Sequence, residues 1–148
     1  MQAFLVYPIH KYTAPLHRTK KSTPKWLFPN PGLVHPAIIA DPNSEGFVFE
    51  NLIGSHLLNI TYGRKRYELK YFRDDNYEVD FIFCKDGEPL LAIEVKSGRI
   101  KKIPTTSRLV QSGITCPLTV VNRDNVESFL EILDPDQLAS WVPTVKSS

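Results

Sequence analysis

Three charged residues in otherwise apolar stretches, Asp80, Glu94 and Lys96, have the types and spacing needed for chemistry on a phosphodiester. Glu94 and Lys96 are two residues apart in Leu-Leu-Ala-Ile-Glu-Val-Lys, and such positions share one face of a strand. Two carboxylates in a largely apolar setting repel each other, and a divalent cation relieves that repulsion. Carboxylate oxygens bind Mg²⁺, the metal activates water, and an ammonium assists as charge develops. These residues therefore predict metal-assisted hydrolysis.

The strands that position these residues form a predicted antiparallel hairpin, because both are rich in β-branched and aromatic residues and Asp86-Gly87 between them is a turn signal. Register decides whether Asp80 shares a face with Glu94, since a slip of one residue reverses every side chain. A two-residue loop places Asp80 opposite Ile93, whereas a loop of three or five residues places it opposite Glu94. Pro89 cannot donate to the ladder, which favours the longer loop.

The motif around these residues resembles that of the PD-(D/E)xK nuclease superfamily. Asp80 is followed 14 residues later by Glu94-Val95-Lys96, and Val79 stands in place of the motif's proline. The resemblance implies a DNA endonuclease with a restriction-endonuclease-like fold and Mg²⁺ or Mn²⁺ as cofactor. It also implies that Asp80 and Glu94 bind the metal and that Lys96 orients water or stabilises the transition state.

A predicted helix precedes the hairpin and offers a further carboxylate. It should run from Glu45 to about Asn59, with Asn43 or Ser44 as its N-cap. Glu50 lies beside the core-facing stripe of this helix. In nucleases of the superfamily, a glutamate of this helix often completes the metal site, and Glu50 occupies the matching place. The alternative is a surface glutamate with an i, i+4 neighbour.

A second resemblance covers residues 25–96. A Lys-Trp-Leu-Phe segment, a Pro-Gly-Leu turn, a Gly-x-x-x-Glu helix and the Glu-Val-Asp and Ile-Glu-Val-Lys strands follow one another as in the C-terminal region of a large prokaryotic family of AAA-type ATPases. The chain has no Gly-x-x-x-x-Gly-Lys-Ser/Thr motif, so ATPase activity is not implied. The resemblance implies a possible ATPase partner and a chain that is either a fragment or a stand-alone relic of the C-terminal half.

Two basic stretches could bind a phosphate backbone, which requires several cations acting together. One extends from Lys11 to Lys25 without an acidic residue, and the other immediately follows the candidate site. For both, a solvated loop is the alternative. The candidate nucleic-acid contacts downstream of the site are Arg99, Lys101, Lys102 and, on the next predicted helix, Arg108. Either Arg108 or Gln111 of that helix could also line the site.

The order of predicted elements is helix, three strands in a meander, helix, strand and a terminal helix, which is the αβββαβ core of an α/β (α+β) protein. A strand, helix, strand connection implies a parallel pair, so the central sheet should be mixed and flanked by helices. We expect a single domain over residues 1–148. It divides into an N-terminal strand and basic loop (1–40), the core (41–122), and a C-terminal helix and tail (123–148).

Composition narrows the function classes only coarsely. A formal charge of +2 over 148 residues is too small to argue nucleic-acid binding by itself. Cys84 and Cys116 lack metal-ligand spacing and are expected to be buried, reduced thiols. No apolar run is long enough to cross a membrane, so we expect a cytoplasmic protein, and homodimerisation is left open.

The sequence is also compatible with two alternatives to a nuclease. The chain could be a catalytically silent nuclease-fold module that binds or regulates within an ATPase system, because a fold does not imply a function. Alternatively, Glu94 and Lys96 could form an ordinary ion pair, with Asp80 a strand-edge residue.

Overall fold

A mixed six-stranded sheet forms the centre of the computed structural model, which describes residues 6–14, 22–29, 42–75, 77–98, 106–141 and 143. Its spatial order is β2-β1-β3-β4-β5-β6. The neighbours β1/β3 and β5/β6 are parallel, and the other pairs are antiparallel. The strands are β1 (Tyr7–Lys11), β2 (Lys25–Leu27), β3 (Tyr67–Arg73), β4 (Glu78–Lys85), β5 (Glu88–Lys96) and β6 (Leu118–Asn122).

The helices of the described residues cover both faces of this sheet. They are α1 (Glu45–Thr61), which follows a 3₁₀ turn at 42–44, α2 (Ser107–Gln111), α3 (Val126–Leu130) and α4 (Pro135–Ser140). The face covered by α1, α3 and α4 has a core that includes Ile53, Leu57, Phe81, Ile93 and Phe129. The opposite face, covered by α2, has a second core that includes Phe72, Val79, Ile82, Ala92 and Leu109.

The predicted fold class is confirmed: the chain forms a mixed α+β domain in which a helix, a three-strand meander, a helix and a parallel strand follow in the expected order. At the C-terminal end, Leu138 is buried and Trp141 packs on the core. Helix α4 was not predicted. It begins where the Asp134 side chain accepts a hydrogen bond from the Gln137 amide, with Pro135 in the first turn.

The hairpin loop differs from the prediction. Asp86 and Gly87 form a two-residue turn in which both residues have positive φ (51° and 83°), as expected for a type I′ turn. Lys85 pairs with Glu88, and a β-bulge after Phe83 then shifts the register. The expectation of a longer loop is therefore wrong, because the bulge beside Pro89 supplies the extra residue that we assigned to the loop.

Beyond this bulge the register is the one expected near the candidate site. Phe81 lies opposite Ile93, and one step further along the same register would bring Asp80 opposite Glu94. A second irregularity interrupts the pairing of β3 with β4, where Lys70 pairs with Ile82 but Phe72 pairs with Val79. Asp80 and Phe81 thus oppose the single residue Tyr71. As a result, Val79 and Ile82 pack on the same face although they are three residues apart. The expectation that side chains alternate strictly between the two faces is therefore wrong here.

The N-terminal strands extend the sheet at the β3 edge. β1 lies parallel to β3, and the short β2 lies antiparallel to β1. Predictions for the basic residues between 15 and 21, for the turn around Gly32, for residues 99–105 and for the tail at 144–148 lie outside the described residues. None of the helices in the described ranges has the length and apolar character needed to cross a bilayer.

Candidate active site

Asp80 lies at the β-bulge where β4 begins to separate from β5. Its Oδ2 accepts a hydrogen bond of 2.7 Å from the Val95 amide, so a side chain replaces the backbone partner that regular pairing would provide. Strand amides point along the plane of the sheet, and this bond therefore holds the Asp80 carboxylate at the end of the sheet between its two faces. The side chain is only 17% exposed.

This environment raises the pKa of Asp80 to about 6. Burial is the main cause, and the carboxylate of Glu50 adds to it, while the Lys25 ammonium and the Val95 amide lower the pKa and Glu78 raises it weakly. A carboxyl group whose charged form is disfavoured in this way gains from additional positive charge nearby.

The α1 side of the sheet end contains one ammonium and three carboxylates. Lys25 Nζ forms an ion pair with Glu50 Oε1 and lies 3.6 Å from both Asp80 Oδ1 and Glu78 Oε1. Arg73 contacts the other oxygen of Glu78 at 3.0 Å. Glu50 and Asp80 thus lie on the same side of the sheet end, with the Lys25 ammonium between them.

Helix α1 approaches the sheet closely enough to place Glu50 there because of Gly54. A Cβ atom at Gly54 would lie 2.8 Å from Phe81 Cζ and 2.9 Å from both methyl carbons of Leu27, distances that real side chains do not tolerate. Glu50 lies one helical turn before this contact, on the same side of the helix. The buried stripe of α1 thus passes through Gly54 and Leu57, which the sequence pattern had placed on a neighbouring stripe.

The other side of the sheet end contains Glu94 and Lys96. Both lie on the face of Ala92, because β5 pairs regularly with β6 from Ala92 to Lys96. Glu94 is 8% exposed, and Lys96 Nζ contacts its Oε1 at 2.5 Å. Its second oxygen, Oε2, is buried and has no hydrogen-bond partner within the part of the chain that the structure describes. An acceptor left in that state is costly, so a further cation or donor would stabilise it.

The pKa of Tyr77 is affected by burial and by carboxylates from both sides of the sheet end, Glu94 and Asp80. Burial raises its pKa, and the Glu94 carboxylate raises it further, with a weaker contribution from Asp80, whereas Arg108 lowers it. The Arg108 guanidinium lies 5.6 Å from the centre of the Tyr77 ring. Asp80 thus lies on the α1 side of the sheet end and Glu94 on the other side, whereas the expected register had placed them on one face.

The candidate ligands are of the chemical type that suits a hard divalent cation. Glu94 Oε2 has no hydrogen-bond partner among the described residues, Asp80 has a raised pKa, and all the candidate ligands are carboxylate oxygens, which Mg²⁺ prefers. Within the described residues, no group of three or more His, Cys, Asp or Glu side chains is arranged to hold a metal. Mg²⁺ needs only one or two protein carboxylates when waters and substrate phosphates complete its shell.

The candidate nucleic-acid contacts divide between described and undescribed residues. Arg108 and Gln111 of α2 line a cavity of about 280 Å³ together with Asp74 and Asp75. Arg108 is therefore close to Tyr77 and to the Glu94 side of the site. Arg99, Lys101 and Lys102 lie outside the described residues.

Two features lie apart from this site. His56 packs edge-on against Phe129, and burial lowers its pKa although backbone hydrogen bonds oppose this shift. A cavity of about 830 Å³ opens between β1, β3 and the end of α1, lined in part by Tyr7, Tyr62 and Tyr67. None of the predicted site residues lines it.

Sequence reasoning missed three residues of the site: Lys25, Glu78 and Tyr77. Lys25 belongs to the Lys-Trp-Leu-Phe segment, but no local pattern places that segment beside a hairpin more than 50 residues later. Tyr77 and Glu78 lie three and two residues before Asp80. This closeness along the chain is the signal that could have identified them as site residues.

Residues 45–132 match a family described as Domain of unknown function (DUF4143), and this range extends from the start of α1 to just after α3. No curated protein and no solved structure matches the chain. The match covers more than half of the 148 residues and includes Glu50, Asp80, Glu94 and Lys96. The chain therefore belongs to the DUF4143 family.

Proposed function

We propose that this domain hydrolyses phosphodiester bonds of DNA with the help of Mg²⁺ or Mn²⁺. The observation that supports this most is the buried, unpartnered Oε2 of Glu94 at the sheet end where Asp80 has a raised pKa. Two incompletely neutralised carboxylates beside Lys96 form the donor set that metal-assisted hydrolysis needs. The resemblance of Asp80 and Glu94-Val95-Lys96 to the PD-(D/E)xK motif agrees with this chemistry.

Each residue has a part that follows from its surroundings. Asp80 and Glu94 would bind the metal, which when bound would activate water and neutralise charge on the phosphate. Glu50 would complete the shell from the α1 side. Lys96 is 45% exposed and already directed at Glu94, so its ammonium can reach a phosphate that enters from solvent. Arg108, which lies over the Tyr77 ring, would bind a neighbouring phosphate.

Cleavage assays on supercoiled, single-stranded and branched DNA test the proposal. We expect cleavage with Mn²⁺ or Mg²⁺ that a chelator abolishes, and a loss of about a hundredfold or more in Asp80→Asn and Glu94→Gln, because removing a metal ligand costs at least as much as removing its supporting residues. Glu88→Gln, an exposed glutamate of the same strand, is the matched control and should cleave normally. Equal activity in all four proteins would exclude the site.

A silent binding module is the second candidate. The Lys25 ammonium already lies against Glu50 and Asp80. Such an internal cation is what we expect in a domain that does not use a metal. DNA binding without cleavage under any divalent metal would favour this alternative. In that case the resemblance to the C-terminal region of AAA-type ATPases points to an ATPase partner, whose ATP hydrolysis rate should change when this domain is added.

A further inference from the structure

The ammonium of Lys25 occupies the place on the α1 side of the site where a divalent cation would contact Glu50 and Asp80. It lies within ion-pair distance of Glu50, Asp80 and Glu78. Arg73 contacts only Glu78. Among the described residues, Lys25 therefore supplies the positive charge nearest to Glu50 and Asp80, the two predicted metal ligands on this side. One ammonium and one metal ion cannot both occupy this position.

The backbone of Lys25 is fixed, whereas its side chain is held mainly by charge. Asn51 of α1 accepts a hydrogen bond of 2.9 Å from the Phe28 amide and donates one of 3.2 Å to the Phe28 carbonyl, which ties the end of β2 to the helix. The Lys25 side chain is 18% exposed, and Nζ lies 5.1 Å from the centre of the Phe81 ring. Nζ is buried, and its contacts are ion pairs rather than well-aligned hydrogen bonds. Rotation of the side chain alone would release it.

We propose that Lys25 is a built-in competitor of the metal: it neutralises Glu50 and Asp80 in the metal-free protein and must leave them before a divalent cation binds. Lys25 is thus a positioning residue. It keeps the carboxylates together without metal, and it weakens metal binding by the free energy needed to displace it. This inference rests on the proposed function, because it concerns the same carboxylates.

Calorimetric titration with Mn²⁺ alone tests the competition in the full chain. We expect Lys25→Met to bind Mn²⁺ at least about tenfold more tightly than the unmodified protein, which is the effect of removing one modest competing interaction. Lys25→Arg keeps the charge and should bind Mn²⁺ no more tightly than the unmodified protein. Lys70→Met is the matched control: Lys70 is a partly buried lysine of the same sheet, paired with Glu68 rather than with a site residue, and its loss should leave Mn²⁺ affinity unchanged.

Thermal unfolding with chelator and with Mn²⁺ covers the case in which Lys25→Met is unstable. We expect its midpoint to fall in chelator and to recover with Mn²⁺ by a larger shift than in the unmodified protein. Equal Mn²⁺ affinity in the two proteins, or a low midpoint that Mn²⁺ does not raise, would overturn the competition while leaving the nuclease site intact. Absence of Mn²⁺ binding from both, with or without a DNA oligonucleotide, would overturn the metal site itself.

Discussion

At the scale of single residues, the proposed metal binding depends most on Asp80, a carboxylate with little positive charge around it. Asp80 accepts the Val95 amide and faces Lys25, yet burial and Glu50 still raise its pKa to about 6. A buried pair of this kind contributes little to stability, because the desolvation of both charges offsets their attraction.

The raised pKa makes a prediction about stability in the absence of metal. Because the folded-state pKa of Asp80 exceeds the ordinary value of 3.8, protonation favours the folded state. The stability this provides is complete below about pH 4 and is lost as the pH rises through about 6. Asp80→Asn mimics the protonated form, so it should be the more stable protein at pH 7 to 8, by up to ~3 kcal/mol, and nearly equal at pH 4.

Denaturant unfolding in chelator across this pH range measures the difference. Asp75→Asn provides the control, since Asp75 is exposed and its substitution should change stability by only about 0.5 kcal/mol or less. A stability difference between Asp80→Asn and the unmodified protein that is flat with pH, or that grows as the pH falls, would contradict the assigned environment of Asp80.

At the scale of elements, helix α1 and two β-bulges position the site. One bulge lies between the turn and the site and restores the register that a two-residue turn would otherwise shift. The other gives β4 an extra residue opposite Tyr71 and redirects Asp80. Helix α1 contributes Glu50 because Gly54 permits close contact with Phe81 and Leu27.

Two glycine substitutions in α1 test this close contact. Gly54→Ala should lower the free energy of unfolding by about 1–3 kcal/mol, because the added methyl group must displace the buried side chains of Phe81 and Leu27. Gly46→Ala is the matched control: its Cβ would lie 3.7 Å from Ser97 Oγ, an ordinary contact, and alanine favours the helix by up to about 1 kcal/mol. Equal effects of the two substitutions, measured by denaturant unfolding, would show that α1 does not approach the sheet as described.

The order of the elements could be predicted from the sequence because hydrophobic period and turn residues are local signals. The helix after Asn43 and Ser44, the hairpin and the buried strand at Leu118 each follow from their own residues. The bulges could not be predicted, because they depend on how neighbouring strands share one extra residue. The expected register near Asp80 came from an assumed longer loop, whereas the structure reaches it through a tight turn and a bulge.

At the scale of the whole molecule, the site combines residues that are far apart in the chain. β2 supplies Lys25, α1 supplies Glu50, β4 supplies Asp80, and β5 supplies Glu94 and Lys96. The part formed by α1, β4 and β5 lies within the range matched to the DUF4143 family, whereas Lys25 precedes it. Lys25 could not be predicted because β2 reaches the site only through its pairing with β1 and its contact with α1.

Anomalous diffraction from crystals soaked with Mn²⁺ is the most direct test of the central claim, that the sheet end formed by Asp80 and Glu94 binds a catalytic divalent cation. We predict a peak about 2.1 Å from one oxygen of each carboxylate, including Glu94 Oε2, with the Lys25 ammonium moved away from Asp80. Soaking with a short oligonucleotide as well supplies the phosphate that completes a weak shell. A data set without a peak between these two carboxylates, and with Lys25 still against Asp80 and Glu50, would contradict the account.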